Sequence, residues 1–517
     1  MGQGNSLVTD LLPPRVRPAL ERGPARPTAK LLDGLDALLL LVPPDGDYGA
    51  WPAALAREHA RRPRTPGSTF ATALGRTQVR VGVLGPDATP FERLALAGRL
   101  AKDLAALAPA SVAVASSGLA DAAAAHEALL AAVLAAVEPQ PSYKSRPAPR
   151  PAVRIVVCGA ADVERTAAVE RGAHLARWLT ALPPNVLEPL AYRRAVATLA
   201  RARGWRMKVY DERALARLGC GAFLAVVRGS AARDAAIVHL AYRPRGAKGA
   251  PVALVGKGLC FDTGGTNLKP AKSMLDMHAD MAGSAVALGV LDALTELGHA
   301  RPVDAWLAIA ENRIGPSAYT QNEVVTAANG TTIQVMHTDA EGRMALADTL
   351  ALASRERPCA ILDFATLTGA CVGALTERYS GAFLNRPALR DAVEAAGHAS
   401  GERVWTFPTP ADYDEDLESP IADVVQCLIE GKGDHIYAAR FLQKFVAPEV
   451  PWVHVDLSSA HRTGGLAHVN APFTGFGVRF ATTLLAQGFA ARAASLSPPP
   501  AAPRRRARAT AARGSRR

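Results

Sequence analysis

The chain has no apolar run long enough to span a bilayer, and Leu38–Val42 falls far short of one. It lacks a basic stretch followed by an apolar core at its start, so no secretory signal is expected. Its six cysteines, Cys158, Cys220, Cys260, Cys359, Cys371 and Cys427, are scattered, with no CxxC pair. That argues against a zinc knuckle or a disulfide framework. It fits a reducing compartment, and the expected location is cytoplasmic with no membrane partner. No GxGxxG follows a strand and there is no P-loop. No Ser or Cys sits in a nucleophile elbow, and no repeat of solenoid period is present.

What is present is a long, mixed chain. At 517 residues it exceeds one ordinary core, so at least two domains are expected. The 49% hydrophobic and 21% charged content is that of a globular protein. Net charge is +12, but the last twenty residues hold seven arginines and no acid, so much of the excess belongs to the tail. Such a tail can touch nucleic acid or an acidic surface, although a solvated disordered end is the simpler reading. The opening MGQGNS carries the pattern for N-myristoylation at Gly2. Against it stand the shortness of the pattern and an Ala- and Arg-heavy composition of the GC-rich bacterial kind.

Periodicity divides the chain into a flexible N-terminus (1–30), an N-terminal α/β domain (31–170), a larger domain (171–490) and a disordered basic tail (491–517). In the first domain, Ala37–Pro43, Gln78–Gly85 and Val153–Cys158 read as strands, and Phe91–Leu107 and Ala120–Val137 as helices. The Pro-rich, basic stretch Glu138–Pro151 reads as a loop within that domain. Beyond residue 170, strands at Arg206–Tyr210, Ala236–Ala241, Val252–Val255, Asp304–Ile309, Ile333–Met336, Ala360–Phe364 and Trp452–Leu457 alternate with helices. The fold class is therefore α/β: a smaller N-terminal α/β domain and a larger C-terminal one with a mixed, largely parallel sheet.

Between residues 255 and 343 stand VGKG, FDTGG, LKP, HADMAG and HTDAEGR. They place Lys257, Asp262, Lys269, Asp280, Asp339, Glu341 and Arg343 in one stretch. Four carboxylates gathered this way repel one another and resist burial unless cations hold them. A pair of divalent metals, roughly 3.5–4 Å apart, is the natural counter-charge and needs both bridging and terminal oxygens. Lys257 and Asp262 are expected to follow a strand directly, where sites of open parallel sheets lie. Gly256, Gly258, Gly264 and Gly265 are expected in tight turns. Asp280 is expected to open a helix. Asp339 and Glu341, two apart, would point the same way if the chain is extended. A lysine ligates metal only as the neutral amine, so the metal must displace its proton.

VGKGLCFDTGGTNLKP, DMHADMAGSAVALG and HTDAEGRMALADTL resemble the leucyl aminopeptidase, or cytosol aminopeptidase, family over roughly Arg171 to Gln487. The resemblance implies a two-metal aminopeptidase that releases N-terminal residues, preferentially leucine or other apolar ones, from peptides. It implies metal ligation by Lys257, Asp262, Asp280, Asp339 and Glu341, with Asp262 and Glu341 bridging. Lys257 and Asp280 would complete one shell and Asp339 the other. Lys269 would polarise the scissile carbonyl, and Arg343 would hold a bicarbonate acting as general base. FATLTGA would bind the substrate backbone, with the Leu367 carbonyl accepting from the substrate amine. Met277 and the turn through Thr366 and Gly369 would line the side-chain pocket. A homohexamer with two metals per subunit, Mn²⁺ or Zn²⁺, is also implied.

The departures concern neighbours of these positions. His337 stands where the family has Asn, and is read as facing the pocket or packing rather than ligating. His278 and Ala282 replace a common Arg and Gly, Asn322–Glu323 replaces an acidic GD, and FTGFGV replaces ATGRPV. They bear on side-chain preference more than on the reaction. His454 and His461 are read as packed or hydrogen-bonded, and Asp456 as supporting the site. Two competing readings are a DNA-binding regulatory member of the family, favoured by the basic tail, and an inactive relative, disfavoured by the complete ligand set.

Overall fold

The computed structural model describes residues 11–496, apart from residues 15, 16, 26, 47, 49, 50 and 147–152. The Gly2 pattern and the arginine-rich tail lie outside these residues. No helix among the described residues is long and apolar enough to cross a membrane.

The N-terminal sheet has six strands in the order Ala19–Gly23, Arg154–Cys158, Ser111–Ser116, Ala37–Val42, Thr77–Val83, Thr69–Leu74. Its neighbours pair in parallel except the last two. Ala37–Val42 (ALLLLV) is wholly buried, as a parallel strand covered on both faces must be. Pro90–Ala101 and Ala122–Val137 are the principal helices, the first started by a Thr89–Glu92 capping box. Several expectations are revised. Part of the N-terminus expected to be flexible forms the polar edge strand Ala19–Gly23. Ser111–Ser116 (SVAVAS) is a core strand whose small side chains give little hydrophobic signal. The helix expected over Phe91–Leu107 breaks at Lys102–Asp103.

The larger sheet has eight strands in the order Val404–Thr406, Ser380–Leu384, Trp452–Asp456, Ala360–Ala365, Val252–Asp262, Val303–Asn312, Ala236–Tyr242, Arg206–Asp211. The four from Trp452–Asp456 to Val303–Asn312 are mutually parallel, so their carboxyl ends share one edge. Each face carries a core. Leu254 points into the one formed with helices Val163–Thr180 and Ala282–Glu296. Ala253 and Val255 point into the other, formed with helix Glu341–Arg355. The Val252 strand runs on to Asp262, so Gly256 and Gly258 lie inside it rather than in turns. Gly256 instead permits close packing: a Cβ there would lie 2.4 Å from Ser284 Cα.

The division near residue 170 falls inside one continuous helix, Val163–Thr180. Its Arg177, 1% exposed, meets Glu138 at 2.9 Å and Glu170 at 3.7 Å. Glu170 also pairs with His468 at 2.9 Å and Arg479 at 3.0 Å. Burial alone would raise the Glu170 carboxyl, but His468, Arg479 and Arg177 pull it down to about 2. Asn470 donates to the Gly98 carbonyl at 3.0 Å, and the Arg403 guanidinium lies 3.6 Å from the centre of the Phe91 ring. The two sheets are thus joined through buried polar contacts. At the other end the fold continues past residue 490 as the helix Phe489–Ala494.

Asp348, buried in helix Glu341–Arg355, accepts from the Phe223 and Ala328 N–H groups at 2.8 and 2.7 Å. Burial nevertheless raises its carboxyl to about 7. Since this lies above the roughly 3.9 of a free Asp, the group favours the fold at acid pH. That contribution falls away as pH rises from about 4 to about 7. Asp348→Asn lacks this slope. In urea unfolding at several pH values, its stability relative to the wild type should improve steadily across the interval, by up to about 1.4 kcal/mol per pH unit. A difference that stays constant with pH would contradict this.

Candidate active site

The parallel strands deliver Asp262, Asn312, Asp456 and the turn after Ala365 to one edge. Asp262 ends its strand beside Asn312, its register partner. Lys257 sits inward on the same strand and reaches out along it. Gly342 makes room, since a Cβ there would lie 2.5 Å from Lys257 Cε. After Asp262, Gly264 and Gly265 turn the chain with φ of 86° and 64°, and this brings Lys269 back over the site.

The five expected ligands converge. Ligand oxygens of Asp262, Asp280 and Glu341 lie within 4.8 Å of one another. Lys257 Nζ is 2.8 Å from Asp280 Oδ2 and 2.9 Å from Glu341 Oε1. Lys269 Nζ is 2.9 Å from Asp262 Oδ2 and 2.5 Å from Asp339 Oδ1, so Asp339 joins the group across that ammonium. Asp280 caps the 3-10 turn Met277–Ala279 just before helix Ala282–Glu296, rather than opening the helix itself. Glu341 is the first residue of its helix. Asp339 and Glu341 therefore converge through a turn and not through an extended strand.

Burial raises the Asp280 carboxyl to about 7 and that of Asp339 to about 6, and lifts Glu341 as well. Lys257, which burial alone would lower, is raised by Asp280, Glu341 and Asp262. The cluster thus holds more buried negative charge than its two lysines settle. Glu341 Oε2 is buried with no hydrogen-bond partner. An oxygen-rich donor set with one amine and an unsatisfied buried oxygen suits divalent metal ions.

Residues not singled out in the sequence hold this set in place. Asn312 Nδ2 donates to Asp262 Oδ1 at 2.8 Å and to the Thr338 carbonyl at 3.1 Å. Tyr319 donates to the same carbonyl at 2.7 Å. Thr338 Oγ1 donates to the Gly264 carbonyl at 2.7 Å. Gln426 Oε1 accepts from the N–H groups of Met336 and His337, and its Nε2 donates to the Ala340 carbonyl. Of these, Thr338 lies within the HTDAEGR motif, and Asn312 lies three residues past the expected strand Asp304–Ile309.

The residues expected on the substrate side lie beside this cluster. Thr366 Oγ1 donates to Asp280 Oδ1 at 2.8 Å, and its carbonyl accepts from Lys257 at 3.1 Å. Asp456 accepts from Leu367 N at 3.0 Å and from Thr368 Oγ1 at 2.7 Å, which fixes the turn. Space is open in front of Gly369. Met277 is half-buried in the turn before Asp280. His337 is half-buried, its Nδ1 accepting from Asp339 N at 3.3 Å. His454 is fully buried against Asp363, and His461 packs on Phe473. Arg343 Nη2 lies 2.8 and 2.6 Å from the two oxygens of Asp434, so an in-chain carboxylate already pairs with the guanidinium expected to hold bicarbonate.

The catalytic-domain model of the cytosol aminopeptidase family matches residues 174–482. The probable cytosol aminopeptidase of Parasynechococcus marenigrum (strain WH8102) is 41% identical over 344 residues, 66% of this chain and 70% of that protein. The chain belongs to the cytosol aminopeptidase family. The probable cytosol aminopeptidase of Rhodopirellula baltica is 37% identical over 351 residues, 67% of each chain. Among solved structures, the bottromycin maturation enzyme BotP in complex with Mn superposes with a TM-score of 0.78 at 33% identity, covering 88% of this chain and 99% of that one. A tomato leucine aminopeptidase mutant, at 24% identity and a TM-score of 0.81 over 92% and 98% of the two chains, shares the fold. This member of the family is a metallo-aminopeptidase, a peptide-bond hydrolase with divalent metal cofactors.

Asn312→Ala leaves Asp262 Oδ1 with one donor fewer and frees the Thr338 carbonyl. Metal affinity, measured by calorimetric titration of stripped protein, should fall about 10–100-fold, as for other supports of ligating groups. Unchanged affinity would show that Asn312 does not position Asp262.

Proposed function

We propose that this aminopeptidase binds two divalent metals, Mn²⁺ or Zn²⁺, through Lys257, Asp262, Asp280, Asp339 and Glu341, and releases N-terminal apolar residues such as leucine. The carrying observation is the group of four carboxylates and two lysines at the carboxyl edge of the sheet, buried except for part of Asp339 and Lys269, with Glu341 Oε2 unsatisfied. Bound metals would supply Lewis acidity and a water of lowered pKa.

The chain's own groups divide the remaining work. Asp262 and Glu341, central in the cluster, are suited to bridging. Lys257 and Asp280 lie to one side and Asp339 to the other. Lys269 stands over Asp262 and Asp339, where its ammonium can stabilise negative charge developing on the carbonyl oxygen. A carboxylate-rich site attracts a substrate's free α-amine, which is the basis for acting at the N-terminus. The Leu367 carbonyl is the acceptor proposed for that amine. Met277, Thr366 and the open space before Gly369 favour an apolar side chain. The Arg343 guanidinium, expected to hold bicarbonate, already pairs with Asp434. We further propose a cytoplasmic homohexamer.

The test is hydrolysis of leucyl-p-nitroanilide by stripped protein refilled in turn with Mn²⁺ and Zn²⁺. Activity should return with metal. Asp339→Ala should lower it at least about 100-fold, the usual scale for loss of a catalytic group. Failure of every metal to restore turnover across a panel of N-terminal residues would sink the proposal.

A further inference from the structure

Arg343 and Asp434 form a buried pair whose geometry differs from what the family resemblance implies. Arg343, in the first turn of helix Glu341–Arg355, is 2% exposed. Its Nη1 donates to the Gln426 carbonyl at 3.2 Å, and its Nη2 contacts both oxygens of Asp434. Asp434 opens the ten-residue helix Asp434–Gln443, behind a turn in which Gly431 and Gly433 adopt φ of 67° and 63°. Its side chain keeps 22% exposure, so the carboxylate is not sealed away. The chain around Arg343 is tied to the same segment by Gln426, which bonds the backbone at Met336, His337 and Ala340.

A carboxylate and a bicarbonate are both planar anions with two oxygens that suit one guanidinium. With Nη2 on Asp434 and Nη1 on the Gln426 carbonyl, a second anion would be left with Nε alone, and four further carboxylates stand nearby to repel it. We propose that Asp434 takes the place of bicarbonate and is the general base for hydrolysis, which rests on the peptidase reading above. The balance is complete within the chain and its substrates. One Asp434 oxygen takes a proton from the attacking water while the water oxygen bonds to the carbonyl carbon. The C–N bond then breaks and the leaving nitrogen takes that proton. Asp434 returns to the carboxylate, with the second water proton left on the new carboxyl group. Arg343 keeps Asp434 oriented and supplies the positive charge it faces.

The experiment uses the metal-loaded enzyme in carbon-dioxide-free buffer, with and without added bicarbonate, and measures bicarbonate binding separately by calorimetry. The wild type should run at the same rate in both buffers and show no binding at Arg343. Asp434→Ala should lose about 100-fold or more in kcat with little change in KM. Bicarbonate should restore most of that loss and bind to this variant. Asp434→Asn, which keeps the shape and fills the seat, should be equally slow and not rescued. Wild-type stimulation by bicarbonate, or wild-type binding abolished by Arg343→Met, would overturn the proposal, as would full activity of Asp434→Asn. If no variant, wild type included, cleaves any peptide, the peptidase reading fails. The binding measurement then still decides whether Asp434 excludes bicarbonate.

Discussion

Everything at the carboxyl edge of the large sheet follows from the cost of keeping Asp262, Asp280, Asp339 and Glu341 together out of water. Four carboxylates at such spacing repel one another, and burial removes the solvent that would soften the repulsion. Lys257 and Lys269 each bridge two of them, which partly settles the charge. The remaining imbalance makes the cluster a receptor for cations. The backbone bears the mechanical consequence. Gly342 must lack a side chain for Lys257 to pass, and Gly256 must lack one for the helix carrying Ser284 to lie against the strand.

The convergence of Lys257, Asp262, Asp280, Asp339 and Glu341 was legible in the sequence because each sits in a short motif whose residue types have few other uses in combination. The alternation of strands and helices was legible as well, since long buried strands such as Val303–Asn312 leave continuous apolar runs. What escaped notice has a common cause. Asp434 meets Arg343 across 91 positions, and Gln426 meets His337 across 89, so neither partner marks the other locally. Ser111–Ser116 escaped because burial there is achieved by small residues. The extended reading of Asp339 and Glu341 failed because helix Glu341–Arg355 starts on a ligand, where helix propensity yields to the geometry of the site.

The site is also assembled from distant parts. Asp456 on one strand steadies the turn after another, and Thr366 in that turn reaches Asp280 before a helix on the sheet's far side. Asp262 is thereby held by Asn312 and Asp280 by Thr366, neither of them among the clustered acids. Such supports restrict orientation, so that little reorganisation is needed when cations arrive.

The continuous helix Val163–Thr180 bears on how this protein can be divided. The stretch matched by the catalytic-domain model begins at residue 174, inside that helix. A fragment cut there would keep Arg177 and lose both Glu138 and Glu170, and it would leave His468 and Arg479 facing an empty position in an apolar interior. The N-terminal layer is therefore not a detachable module that could be exchanged between relatives at this seam. Any recombination that succeeds has to carry the whole helix, together with the acid that closes the ion network, as one inherited block.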